Sequence, residues 1–351
     1  MAQPPTVSLL ALATAAPPHI LQQEVAAKAA RTMFSGRFEE FEEMLPVFEN
    51  TGIKTRRMSQ PIEWYFEPKG WPERTQAYLQ TAEALFVEAA SKALAAAGLE
   101  GKDVDAVVTV SSTGIATPSL EARVFSRMGF RRDIQRTPVF GLGCAGGVSG
   151  LALAARLAQA QPGATVLFVT IELCTLAFRL DELTKANIVA TALFGDGAAA
   201  CVLRAGDDGG WQVEGAGEYT WPDTLDIMGW NVDPQGFGVI FARAIPPFAR
   251  RHMGAAADAI LGGMGLSRSD IGRYVCHPGG AKVIRALEGA YGLEEGALDA
   301  ERQVLAEFGN MSAPTALFVL ERVLAGDPQG RLLVTALGPG FTASALSLVR
   351  A

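Results

Sequence analysis

Short apolar runs alternate along this chain with longer stretches in which apolar residues return every three or four positions. The first pattern is that of buried strands and the second that of amphipathic helices. Their alternation predicts an α/β fold. Strands are expected over 7–13, 104–110, 137–142, 165–171, 198–203, 274–277, 332–336 and 343–349. Helices are expected over 22–34, 74–97, 120–128, 148–160, 247–264, 281–291 and 313–325. Residues 37–50 set Phe38, Phe41, Leu45 and Phe48 at helical spacing, with Glu39, Glu40, Glu42 and Glu43 between them. That spacing predicts a further amphipathic helix with a solvated acidic face. From Ala145 to Ala160 the sole charge is Arg156, amid many Gly and Ala. A helix apolar nearly all round belongs in the interior of a large protein. Residues 137–160 therefore read as strand, tight turn and buried central helix.

Composition narrows the picture. The chain has 351 residues, 49% of them apolar and 19% charged, which is enough apolar matter for a large core and excludes a disordered chain. Its length suits two domains or one large layered unit. A net charge of −7 without a basic block argues against binding nucleic acid through phosphates. The turn cluster Ala205-Gly206-Asp207-Asp208-Gly209-Gly210 divides the chain into a first part, 1–206, and a second, 207–351. The apolar opening at 7–13 has no basic residue before it and soon meets Pro17-Pro18. It is too short to span a bilayer and lacks the charged start of a signal peptide, so no integral membrane segment and a reducing, cytoplasmic setting are expected. Four cysteines (Cys144, Cys174, Cys201, Cys276) contain no CxxC pair, which argues against a zinc site and a disulfide framework. With only His19, His252 and His277 present, any mechanism that uses histidine has three candidates.

Gly141-Leu142-Gly143-Cys144-Ala145-Gly146-Gly147 puts a cysteine between a strand and a helix. The glycines permit a sharp bend, and the positive helix N-terminus favours thiolate, the nucleophilic form. A plain buried cysteine fits the same turn equally well. His277 ends a strand ahead of Pro278-Gly279-Gly280, where α/β folds place their sites. Strand alternation turns Cys276 to the opposite face, into the core. His19 reads as a loop residue and His252 as solvated. Asn310, in Gly309-Asn310-Met311-Ser312, either caps a helix or aims an amide N–H into a pocket. Gly338-Pro339-Gly340-Phe341 is a tight turn after a strand.

Taken together, these motifs are more specific. GCAGG at Cys144, HPGG at His277, GNMS at Asn310 and LGPGF at 337–341, with Ala192-Leu193-Phe194-Gly195-Asp196-Gly197, resemble the type III polyketide synthases. These are the chalcone-synthase-like branch of the thiolase-fold condensing enzymes, and the resemblance spans almost the whole chain. It implies a five-layered αβαβα fold of two similar halves, the first carrying Cys144 and the second His277 and Asn310. It also implies a homodimer. Cys144 matches the nucleophile that carries the acyl chain, and His277 and Asn310 match the other catalytic residues. Phe194 matches one of two gate phenylalanines; the second falls near Val239, with Phe237 or Phe241 as substitutes. Ser312 matches a cavity serine, and Gly338 and Pro339 a cavity-lining loop. Lys54, with Arg56 and Arg57 as weaker matches, corresponds to residues that meet coenzyme A phosphates.

The implied chemistry needs no metal, flavin or nicotinamide. A histidine beside Cys144 would hold a thiolate as an ion pair. The thiolate takes an acyl group from an acyl-CoA starter, and malonyl-CoA then loses carbon dioxide. His277 and Asn310 stabilise the resulting enolate, which attacks the Cys144 thioester. Compact GCAGG, Met228-Gly229-Trp230 and the small Ala177 resemble bacterial members that take fatty acyl starters and make alkylpyrones or alkylresorcinols. Two alternatives stand beside this reading: an initiating ketoacyl-carrier-protein synthase, and a non-catalytic acyl-binding subunit of the same fold. A thiolase would carry a second catalytic cysteine late in the chain, and none follows Cys276.

Overall fold

The computed structural model describes residues 5–206 and 209–351. The turn cluster read as the division between the halves includes residues 207 and 208, which lie outside the described residues. Nine strands form one mixed sheet. Its order is Ile271–Cys276, Arg331–Gly338, Thr342–Arg350, Trp211–Thr220, Val7–Ala15, Asp196–Ala205, Thr165–Leu173, Ala106–Val110, Gln135–Val139. The two halves of the sheet join through a short pairing in which Val7, Ser8 and Leu9 face Val213, Gln212 and Trp211.

Side-chain alternation builds the layers. In strand Ala106–Val110, Val108 and Val110 enter one apolar cluster while Val107 enters another. Val166 and Phe168 likewise separate from Leu167 and Val169. In the second half, Leu332 and Val334 face the first cluster and Leu333 and Leu337 a third. The shared cluster holds two buried helices, Gly146–Ala160 and Ala313–Ala325. Helix Trp71–Ala96 covers the outer face of the first half, and helices Ile245–Gly263 and Ala281–Tyr291 that of the second. Helix, sheet, paired central helices, sheet and helix make the five layers. Strands buried on both faces explain why the first-half sequence reads as unbroken apolar runs. The central helices nearly touch: a Cβ on Gly147 would lie 2.2 Å from the Ala313 carbonyl oxygen.

Several elements depart from expectation. The expected helix at 37–50 is two short ones, Phe41–Met44 and Pro46–Asn50, because Pro46 has no N–H to continue the first. The expected helix at 120–128 breaks at Val124. The strand expected over 137–142 runs over Gln135–Val139 instead, which leaves Phe140 to Leu142 for the turn into Cys144. The hairpin Met228–Asp233 and Gly236–Phe241, the helix Lys185–Leu193 and the central strand Trp211–Thr220 carried no clear sequence signal. His252 packs on Phe248 and Trp221 rather than standing free in solvent, and His19 opens a short strand.

Candidate active site

Cys144 sits in a single 3-10 turn, Gly143–Ala145, that runs straight into the central helix Gly146–Ala160. It is 6% exposed. Ser112 ties the preceding loop, its Oγ accepting from the Gly141 and Gly143 amides at 3.1 and 3.3 Å. The turn at Gly338-Pro339 presses on the other side. A Cβ on Gly338 would lie 2.6 Å from that of Ala145 and 2.7 Å from the Leu142 carbonyl oxygen, so only glycine fits.

Ser312 stands at the start of the second central helix with φ +58, a left-handed conformation that costs a non-glycine residue about 1 kcal/mol and recurs at functional sites. Its side chain lies near the Cys144 sulfur, on the side that favours the thiolate. Its amide donates to Asn310 Oδ1 at 2.8 Å. That bond fixes the Asn310 carboxamide, whose Nδ2 makes a long 3.4 Å contact with the Gly279 carbonyl oxygen. Gly279 adjoins His277, which ends its strand with its amide donating to Thr335. A continuous path thus runs from Cys144 through Ser312, Asn310 and Gly279 to His277. The structure brings the three residues, far apart in sequence, into one buried neighbourhood.

The electrostatics differ from the expected ion pair. Both His277 ring nitrogens are buried without a hydrogen-bond partner among the described residues. Burial alone pulls the imidazole down to about 4. Burial also pushes the Cys144 thiol up to about 12, helped by the nearby Glu172 carboxyl and opposed by the Ser312 hydrogen bond. Desolvation thus raises the thiol and lowers the imidazole, and so opposes a thiolate–imidazolium pair in the free enzyme. Glu172 is itself fully buried. It accepts from the Ser112 amide at 2.9 Å and the Thr113 hydroxyl at 2.7 Å, yet burial raises it to about 8.

Three cavities meet around two aromatic rings. Phe194 and Phe241 pack edge to face, their centroids 6.3 Å apart. Phe194 lines an almost wholly apolar pocket with Cys174, Ala177 and Val239 on one side and helix Gln23–Phe34 on the other. Phe241 lines a second pocket behind His277. Phe241 also lines an open cleft. Phe194 also packs edge to face on Trp230, 6.4 Å away; Val239 belongs to the wall of the apolar pocket, and Phe237 stacks on Trp230. Trp230 in turn donates from its indole to the Ser112 carbonyl oxygen at 2.8 Å, fastening the hairpin over the Cys144 loop.

The open cleft is lined by Lys185, which pairs with Glu40, by Arg243 and Lys282, and by Glu43 and Asn50. Lys54 is exposed and Arg57 half-buried, and neither is among the residues that line it. Arg56 is 2% exposed and is held by the Thr191 and Phe194 carbonyl oxygens and by Gln23 Oε1. It braces the end of helix Lys185–Leu193. Sequence reasoning missed Lys185, Arg243, Lys282 and the buried carboxyl of Glu172. The cations sit on separate elements, and no local motif joins them. No group of metal-ligating side chains occurs among the described residues, and no helix is long and apolar enough to cross a membrane.

Comparison with known proteins agrees with this geometry. Two family models match: the chalcone and stilbene synthase N-terminal domain over residues 2–207 and the C-terminal domain over 212–350. A 1,3,6,8-tetrahydroxynaphthalene synthase of Streptomyces peucetius is 40% identical over 344 residues, covering 96% of this chain and 91% of the relative. A putative chalcone synthase of Bacillus subtilis is 37% identical, covering 96% and 97%. The crystal structure of the tetrahydroxynaphthalene synthase of Streptomyces coelicolor, a bacterial type III polyketide synthase, superposes with a TM-score of 0.92. It is 29% identical and covers 98% of this chain and 99% of that one. The protein belongs to the chalcone and stilbene synthase family and is a type III polyketide synthase, an acyltransferase of the Claisen-condensing kind.

Proposed function

We propose that this synthase builds its product on Cys144, using a fatty acyl-CoA starter and malonyl-CoA extender units. The observation that carries the assignment of roles is the run of neighbours from Cys144 through Ser312 and Asn310 to Gly279, beside His277, whose ring nitrogens have no partner among the described residues. In the first step the neutral His277 imidazole takes the thiol proton as sulfur attacks the starter carbonyl, and it returns that proton to the departing coenzyme A thiolate. In the second step the malonyl carboxylate leaves as carbon dioxide, and its bonding pair becomes an enolate. Asn310 Nδ2 is turned away from Ser312 by the bond at Oδ1, and donates to the enolate oxygen together with a protonated nitrogen of His277. The enolate carbon attacks the Cys144 thioester and the sulfur leaves, lengthening the chain by two carbons.

The cleft supports the choice of substrate form. Lys185, Arg243 and Lys282 suit the phosphates of coenzyme A, in place of Lys54 and Arg57. The rings of Phe194 and Phe241 would part the coenzyme from the dry chamber. The apolar pocket beyond Phe194, with Ala177 in its wall, favours an alkyl starter and an alkylpyrone or alkylresorcinol product. A second reading, favoured by the name of the 40% identical relative, is a tetrahydroxynaphthalene-type product, which carries no alkyl tail. The halves 1–206 and 207–351 would each supply part of the site. Homodimerisation is supported by the free edge of strand Gln135–Val139 and by Phe140 and Ile115, 55% and 53% exposed beside it.

The test is mass analysis of products from malonyl-CoA with saturated acyl-CoAs of graded length, alongside malonyl-CoA alone. Tailed products and an acyl adduct on Cys144 are expected, both absent in Cys144→Ala. A tail-free product from malonyl-CoA alone would favour the second reading. No adduct with any thioester would overturn the role of Cys144.

A further inference from the structure

Strand Ile271–Cys276 stands at the edge of the nine-stranded sheet and pairs there with Arg331–Gly338. Along an edge strand every second backbone amide faces away from the neighbouring strand and needs another acceptor. The amide of His277 donates inward, to the Thr335 carbonyl oxygen at 2.8 Å. The amide of Cys276, one residue earlier, faces the open side, and Glu301 Oε1 accepts from it at 2.9 Å. The other oxygen of Glu301, Oε2, accepts from Arg273 of the same strand at 2.8 Å. Cys276 and Glu301 are both 0% exposed. A buried amide without an acceptor is costly, and so is a buried carboxylate without donors; here each satisfies the other.

Glu301 belongs to helix Asp299–Phe308, which ends two residues before Asn310. The Gly309 amide donates back to the Leu305 carbonyl oxygen at 2.9 Å, so little slack separates that helix from Asn310. One carboxyl thus ties the strand that delivers His277 to the helix that delivers Asn310. The two segments touch again where Asn310 Nδ2 meets the Gly279 carbonyl oxygen at 3.4 Å. That contact is long and rests on the same amide group that the proposed chemistry directs at the enolate, which leaves the Glu301 bond as the firmer tie.

We infer that Glu301 is a positioning residue of the condensing chemistry: by receiving the Cys276 amide, its carboxyl sets the placement of His277 relative to Asn310. The inference rests on the roles proposed above for those two residues and adds the group that holds them in register. Glu301 is not among the residues that line the open cleft or the pockets at Phe194 and Phe241, so it acts through His277 and leaves thioester binding alone. A misplacement of about 1 Å costs roughly a hundredfold in rate. Loss of the tie therefore lowers kcat and keeps KM.

The experiment measures kcat and KM for carbon dioxide release from carboxyl-labelled malonyl-CoA, with the urea unfolding midpoint of each variant. Two double variants share Arg273→Met, so that neither leaves a buried charge unpaired. With Glu301→Leu the Cys276 amide loses its acceptor, and kcat is expected to fall roughly ten- to a hundredfold with KM unchanged. With Glu301→Gln a carbonyl oxygen remains for that amide, and kcat is expected to return to within about threefold of the wild type. Arg302→Ala is the comparison for stability alone. It breaks a 2.6 Å ion pair made from the same helix to Glu288, and is expected to lower the urea midpoint with kcat kept. Equal kcat in the two double variants, or a fall in Arg302→Ala that matches the Glu301→Leu double variant, would overturn the inference. His277→Gln separates it from the reading beneath it. Undiminished carbon dioxide release in His277→Gln would overturn the role of His277 itself, whereas loss there beside an unaffected Glu301→Leu double variant would strike the tie alone.

Discussion

The burial of Cys144 makes a quantitative prediction about thiol reactivity. Burial pushes Cys144 from an ordinary value of 9.0 to about 12. At any pH well below both values the thiolate fraction falls tenfold for every pH unit by which the thiol is raised. The free enzyme therefore holds about a thousandfold less thiolate than an ordinary cysteine. Alkylation by iodoacetamide proceeds through thiolate. Its rate at Cys144, followed by peptide mass, should therefore rise about tenfold per pH unit from 7 to 10 without levelling. Limited access lowers the whole curve but leaves its slope intact, which makes the slope the proper readout. Cys201 and Cys276, 0% exposed, serve as internal references in the same digest. Ser312→Ala removes the one side-chain hydrogen bond that favours the thiolate and should move the curve to higher pH. A profile flat between pH 6 and 9 would mean that a thiolate–imidazolium pair exists before substrate arrives. Uncompensated burial would then not be what sets the charge state of the pair.

Glu172→Gln removes a carboxyl that ionises near 8 and raises Cys144 when charged, so alkylation of Cys144 should speed up above pH 8 and change little at pH 6.5. Native His277 resists protonation down to about 4 while the unfolded residue titrates near 6.5. The unfolded state thus gains protons first, and about 3 kcal/mol of stability should be lost as pH falls from 6.5 to 4. Urea unfolding of His277→Gln across that window should lack this component. Arg243→Ala and Lys282→Ala should raise KM for malonyl-CoA several-fold with kcat nearly kept, and the difference should shrink in high salt; an unchanged KM would remove them from the phosphate site. Gly147→Val drives a side chain into the Ala313 carbonyl and should cost about 3 kcal/mol or more in urea unfolding, and a neutral result would deny the close contact of the central helices.

The parts of the fold that could be read from sequence are those where burial and period coincide. Strand Thr165–Leu173 is buried at every position, and its apolar run is unmistakable. The turn at Cys144, His277 just past its strand and Asn310 just ahead of the second central helix each lie at a junction marked by glycine, so their places could be read though their mutual distance could not. Strand Trp211–Thr220 escaped because the face it turns to the outer helix carries glycine, and that helix supplies the bulk. A Cβ on Gly217 would lie 2.9 Å from Ile260. Its hydrophobic signal resides in a different element. The direction in which burial shifts Cys144 and His277 could not be read either, since sequence says nothing of how much water stays with a group. The cations of the cleft escaped too, because Lys185, Arg243 and Lys282 converge only through tertiary contacts.

Gly195 donates to the Asn310 carbonyl oxygen at 3.0 Å and Asn310 to that of Leu193 at 2.9 Å, so the segment bearing Phe194 and the segment bearing the Asn310 carboxamide form a small parallel bridge. Doorway and anvil are forged in one piece. Widening the aperture by sliding its backbone would drag the carboxamide out of line with the reacting oxygen. New substrate ranges are therefore reached by trimming or swelling wall side chains, and a loosened frame would sacrifice turnover before it admitted anything larger.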